Sequence, residues 1–154
     1  MIETIGQLFS SLSSAAKTAK TMQKLIANVN GDERALIEEI KENAGLCWLV
    51  TKREVEPKKV IKELVTTEYD SLIKTDFDFN KLKRRKIKVG KHLKQTDLKS
   101  FDGKETYHLV INIYDRIKDL KRIYRIDSEL DKIRWSVRFI NLHKRILLLL
   151  EHLK

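Results

Sequence analysis

The sequence predicts an all-α fold, a single-domain bundle of five or six helices, and three observations carry that expectation. Five glycines and one proline in 154 residues are too few for the turns of a β-protein, while Leu, Ile, Lys and Glu abound. Apolar residues recur at spacings of three and four along most of the chain, the period of an amphipathic helix. The stretch 128–153 carries two such stripes. One is Trp135, Phe139, Leu142, Ile146, Leu149 and Leu153; the other is Leu130, Ile133, Val137, Ile140 and Leu147, roughly opposite. A surface helix needs one apolar face, so two faces place this long C-terminal helix near the centre of the bundle.

Taken in order, residues 2–29 form the first predicted helix, with Ile5, Leu8, Leu12, Ala15, Ala19, Met22, Ile26 and Val29 as its stripe and Asn30-Gly31 as its stop. Asp32 caps a second helix reaching about Arg53. Its inner side is Leu36, Ile37, Ile40, Ala44, Cys47, Trp48 and Val50, its wet side Glu38, Glu39 and Glu42, and Gly45 marks a close helix crossing. Pro57 suits the first turn of a third helix carrying Val60, Ile61, Leu64, Val65, Leu72 and Ile73. A basic connector, residues 76–104, follows. In it Asp76-Phe77-Asp78-Phe79-Asn80 breaks the rhythm, Asn80 caps what comes next, Ile87-Lys88-Val89-Gly90 fits strand or helix equally, and 95–104 reads as the most mobile loop. Residues 107–126 return to helix, with Leu109, Val110, Ile113, Ile117, Leu120 and Tyr124 inside. Ser128 and Asp131 have capping-box spacing, and so short a joint makes 105–153 an antiparallel helical hairpin. The whole, 1–154, reads as one domain.

Charge is distributed unevenly. Residues 1–80 hold 11 Lys and Arg against 13 Asp and Glu, a balance of −2; residues 81–154 hold 21 against 9, a balance of +12. A net +10 gathered in one half points to a polyanionic partner such as nucleic acid. The lone Cys47 lies in an apolar run and reads as a buried thiol, which fits a reducing, cytoplasmic setting. The N-terminus does not read as a secretory signal, and no apolar run approaches the ~20 residues that span a bilayer. Gly-rich phosphate loops and His/Cys sets at metal-ligand spacing are missing, so neither cofactor nor metal is expected.

The strongest functional signal is the run Lys81, Lys83, Arg84, Arg85, Lys86, Lys88, Lys91 and Lys94, eight cations in fourteen residues with no acid between them. Such crowding costs self-repulsion that a polyanion relieves. With no Phe, Tyr or Trp interleaved, contact with a phosphate backbone is expected rather than reading of bases. Arg134, Arg138, Asn141 and Arg145 form a second polar seam along the last helix, where arginines can hold phosphates or bridge to neighbouring acids. The leading expectation is therefore a non-enzymatic polyanion binder using these eight residues with Arg134, Arg138 and Arg145.

Arg138-Phe-Ile-Asn-Leu-His143 also resembles the Arg-x4-His signature of HEPN-domain ribonucleases, over six residues. The resemblance implies an all-helical homodimer in which Arg138 binds phosphate and His143 is catalytic across the dimer interface, cleaving RNA without metal. A third reading is a structural or immunity-type helical protein with a protein partner.

Overall fold

The computed structural model describes residues 31–129 and 132–154, so the predicted first helix, with Leu130 and Asp131, lies outside the described residues. Among the described residues there are five α-helices: α1 (Gly31–Lys52), α2 (Pro57–Ile61), α3 (Thr67–Lys74), α4 (Thr106–Ile126) and α5 (Trp135–Leu153). Short 3-10 turns occur at Phe79–Leu82, Lys91–Leu93 and Asp97–Phe101, and no strand is found among the described residues. α5 packs against α1, α2 and α4 at once. Every residue from 142 to 150 is buried, as a helix surrounded on all sides requires. The all-α bundle with a central C-terminal helix is thus the observed architecture.

The stripe Trp135, Phe139, Leu142, Ile146, Leu149 and Leu153 is buried throughout. Of the opposite stripe, Leu147 is buried, Ile133 and Ile140 are half-buried, and Val137 is exposed. The helix begins at Trp135, not at 128. The local competitor is an Asx turn, in which Asp127 Oδ1 accepts from the Glu129 backbone at 3.1 Å, and Arg134 is still non-helical at φ −84 and ψ 78. α4 and α5 are nonetheless antiparallel neighbours: Tyr124 meets Trp135, Asn112 meets Arg145, and Thr106 meets His152.

The predicted third helix is two helices, and the polar residues of α1 explain the break. Asn43 clamps Val65 from both sides, its Oδ1 accepting from the Val65 N–H at 2.9 Å and its Nδ2 donating to the Val65 carbonyl at 2.8 Å. Lys121 Nζ donates to the Leu64 carbonyl. Glu39, expected on the wet side, is buried: its carboxylate caps α3, accepting from Glu68 N at 2.7 Å and Tyr69 N at 3.2 Å, and takes the Tyr114 hydroxyl at 2.9 Å. Burial and the Glu39 charge together push the Tyr114 phenol well above its ordinary value. Gly45 marks no crossing; it is exposed, with open space where a Cβ would stand.

Residues 95–104 are a packed turn rather than a loose loop. Thr96 Oγ1 caps it at Leu98 N, Leu98 and Phe101 are buried, and Asp97 is tied to α5.

Candidate polyanion-binding surface

Residues 83–90 cross the end of the bundle where α4 starts and α5 stops, with a bend at Arg85. Arg84 and Arg85 are both exposed at the bend; beyond it Ile87 and Val89 are buried while Lys86 and Lys88 are exposed, the alternation of an extended segment packed on one side. The backbone is tied to residues 102–104: Ile87 N donates to the Lys104 carbonyl at 2.8 Å, Gly103 N to the Ile87 carbonyl at 2.8 Å, and Val89 N to Asp102 Oδ1 at 2.9 Å. Gly103 sits at φ +77, where a side chain would be strained. At a rise of about 3.3 Å per residue, Lys86 and Lys88 emerge roughly 6.6 Å apart along one edge. This segment forms a basic strap.

The strap is anchored at its root. Thr106 Oγ1 donates to the Lys83 carbonyl at 2.7 Å and lies 2.8 Å from His152 Nε2. The hydroxyl's one hydrogen is committed to the carbonyl, so the imidazole Nε2 must donate to the oxygen. Arg85 Nη2 donates to the His152 carbonyl at 3.3 Å, placing a cation at the negative end of the α5 dipole. Burial, with Arg85 and Lys83 nearby, lowers the His152 pKa to about 4 and keeps the ring neutral.

Of the eight predicted cations, three have carboxylates nearby: Arg84 with Asp78 at 3.3 Å, Lys86 with Glu105 at 3.8 Å and Lys94 with Asp102 at 3.8 Å. These carboxylates are local and the pairs largely exposed, so they screen the strap without neutralising it. Lys81, which lies over the Phe77 ring, and Lys83, Lys88 and Lys91 have no carboxylate partner among the described residues. Lys99 and Lys104, outside the predicted set, are exposed on the adjoining segment.

Arg145 does not extend this surface. Arg145 is 4 % exposed, its Nη2 donating to Asp97 at 2.8 Å, Nη1 to the Asn141 carbonyl at 2.9 Å and Nε to Asn112 at 3.0 Å. Lys144 Nζ holds the other Asp97 oxygen at 2.8 Å. Burial alone would raise the Asp97 pKa, but these two hydrogen bonds and charges outweigh it and hold it at about 2. Arg134 and Arg138 are exposed. At 1.5 Å per residue, Arg138 lies about 21 Å along α5 from His152, where the strap is rooted. The predicted set therefore divides into a strap at one end of α5, a buried Arg145 and an exposed pair at the other end.

Arg138 and His143 are likewise on different surfaces. His143 is 1 % exposed, its Nδ1 2.9 Å from Thr51 Oγ1 and its ring edge-on to Trp48. Thr51 donates its hydrogen to the Cys47 carbonyl at 3.0 Å, so Nδ1 carries the imidazole hydrogen. Burial, with Lys52 nearby, lowers its pKa to about 4. Cys47 is also buried, and burial pushes its thiol upward, away from the reactive thiolate.

Asp97 and Thr106, which hold α5 and the strap, were not singled out by sequence reasoning. Asp97 lies in a Thr96-Asp97 turn resembling many surface turns, and its partners are 47 and 48 residues away. Among the described residues no helix is long and apolar enough to cross a membrane, and no group of three His, Cys, Asp or Glu could hold a metal. No family model matches the chain, and no solved structure matches it.

Proposed function

We propose that the protein is a non-enzymatic binder of polyanions, nucleic acid foremost, acting through the basic strap by backbone electrostatics. One observation carries the reading: Lys81, Lys83, Lys88 and Lys91 lack carboxylate partners among the described residues, on a segment whose Ile87 and Val89 are buried in the core. A disordered basic tail must be ordered on binding; an anchored strap is ordered already, so less of its interaction energy is offset. Phosphates displace condensed counterions along it, and the absence of Phe, Tyr or Trp in 81–94 leaves the contact tolerant of sequence. Arg134 and Arg138 stand about 21–27 Å along α5 from the strap's root and are not needed for this contact.

Fluorescence anisotropy with labelled single-stranded RNA and duplex DNA tests this. With five phosphates engaged on a single strand, affinity falls about a hundredfold between 50 and 200 mM salt. Replacing Lys86, Lys88 and Lys91 by Gln lowers the salt slope by about 2 to 3. Binding that ignores salt, or no binding to either nucleic acid, overturns the proposal. Copurification of an acidic protein in place of nucleic acid would hand the strap to a protein partner. The ribonuclease reading would need Arg138 and His143 of two copies in one site, and with His143 buried against α1 no observation favours it.

A further inference from the structure

A cleft lined by two arginines and two aspartates lies in the groove between α4 and α5. Asn112 Oδ1 accepts from two guanidiniums, Arg145 Nε at 3.0 Å and Arg116 Nε at 3.1 Å. Arg145 is saturated by Asp97 and the Asn141 carbonyl. Arg116 is not: among the described residues its guanidinium has no hydrogen-bond or ion-pair partner beyond its Nε bond, and the Arg138 side chain has none. Both line a cleft of about 270 Å³ completed by Asn112, Asp115, Asp119 and Leu120. Partial burial and the charges of Arg145 and Arg138 lower the Arg116 pKa, against the opposing pull of Asp97 and Asp119. Asp119 already accepts from Arg122 at 2.9 Å, whereas Asp115 has no ion pair among the described residues.

We infer that this cleft binds a phosphomonoester whose neighbouring hydroxyls face Asp115 and Asp119. Two guanidinium forks match the oxygens of a phosphoryl dianion. Asp115 and Asp119, on α4 beside Arg116, repel a run of phosphates but accept from hydroxyls, so a single phosphate on a sugar suits the lining better than a polymer backbone. The volume is below the ~300–1,000 Å³ usual for ligand clefts, which also favours a compact group. A free sugar phosphate and the phosphorylated end of a nucleic acid strand present this same chemistry. The inference is independent of the strap, whose residues do not line the cleft.

Titration calorimetry with ribose 5-phosphate, inorganic phosphate and ribose provides the test. Ribose 5-phosphate is expected to bind more tightly than phosphate, with ribose silent. Arg138→Gln, at an exposed position that leaves folding intact, weakens that binding about tenfold or more, the loss expected for a charged hydrogen bond. Arg116→Lys, which keeps the charge but loses the fork, weakens it as well. The variant with Lys86, Lys88 and Lys91 changed to Gln leaves it unaltered, which separates this site from the strap. Tighter binding of a 5′-phosphorylated RNA than of its 5′-hydroxyl twin, lost in Arg138→Gln, would identify the strand end as the source; equal binding would identify the free sugar phosphate. No binding of ribose 5-phosphate at millimolar concentration, equal binding in Arg138→Gln, or phosphate binding as tightly as ribose 5-phosphate overturns the inference.

Discussion

Glu39 gathers three donors, the backbone N–H groups of Glu68 and Tyr69 and the Tyr114 hydroxyl. Removing the carboxylate leaves those donors buried without an acceptor, so Glu39→Ala is expected to cost about 2–4 kcal/mol in urea unfolding. Glu38→Ala and Glu42→Ala, at exposed positions of the same helix, should stay within about 0.5 kcal/mol. If all three behave alike, the α3 cap is not the function of Glu39. The sequence offered a partial clue: Glu39 and Asn43 are one turn apart and lie beside Leu36, Ile40 and Cys47. Helical period separates inner from outer positions, but it cannot announce that a distant backbone segment supplies donors for an inner acid. The same limit hid Arg145, whose partners Asp97 and Asn112 belong to other elements.

Among the elements, the long helices were legible because their apolar spacing persists over five or six turns: α4 was expected at 107–126 and is Thr106–Ile126. Caps and short connections were not. Asn80, expected to cap the residues after it, instead accepts from Tyr107 N at 2.9 Å and caps α4, while Asp78 caps the turn at Phe79–Leu82. The strap reads as an ambiguous Ile87-Lys88-Val89-Gly90 in sequence because its partner, the Gly103-Lys104 backbone, follows an intervening pair of turns. Thr106→Val tests whether anchoring matters as much as charge. The swap keeps the shape but removes the donor to Lys83 and the acceptor for His152, a stability loss of about 1–3 kcal/mol. Polyanion affinity should fall several-fold at fixed salt while the salt slope stays unchanged, since no cation is lost. An unchanged affinity in the folded variant would mean that the strap binds as a flexible chain.

For the whole molecule, the division of charge into −2 and +12 halves was legible by counting, but the neutrality of its two buried histidines was not. His143 and His152 are buried on opposite contacts of α5, the first facing Thr51, Trp48 and Lys52, the second Thr106, Arg85 and Lys83. Both folded-state pKa values are lowered from 6.5 to about 4. A lowered histidine pKa means that the unfolded chain binds more protons in the interval, so stability is complete above about 6.5 and declines as pH falls toward 4. Two such groups give a slope of up to about 2.7 kcal/mol per pH unit, a total comparable with the 5–15 kcal/mol that holds most domains folded. Asp97, held at about 2, adds a smaller loss below about pH 4, reduced by its exposure to solvent. Urea unfolding from pH 7.5 to 4.5 should show this decline, and His143→Gln or His152→Gln should each remove about half of the slope even though each lowers stability at pH 7.5. A slope unaltered in both variants would mean that neither ring is held neutral by the fold. The strap would also lose its anchor in the same window, because a protonated His152 adds a cation beneath Arg85 and Lys83, so weakening of polyanion binding on acidification would follow unfolding rather than titration of the bound phosphates.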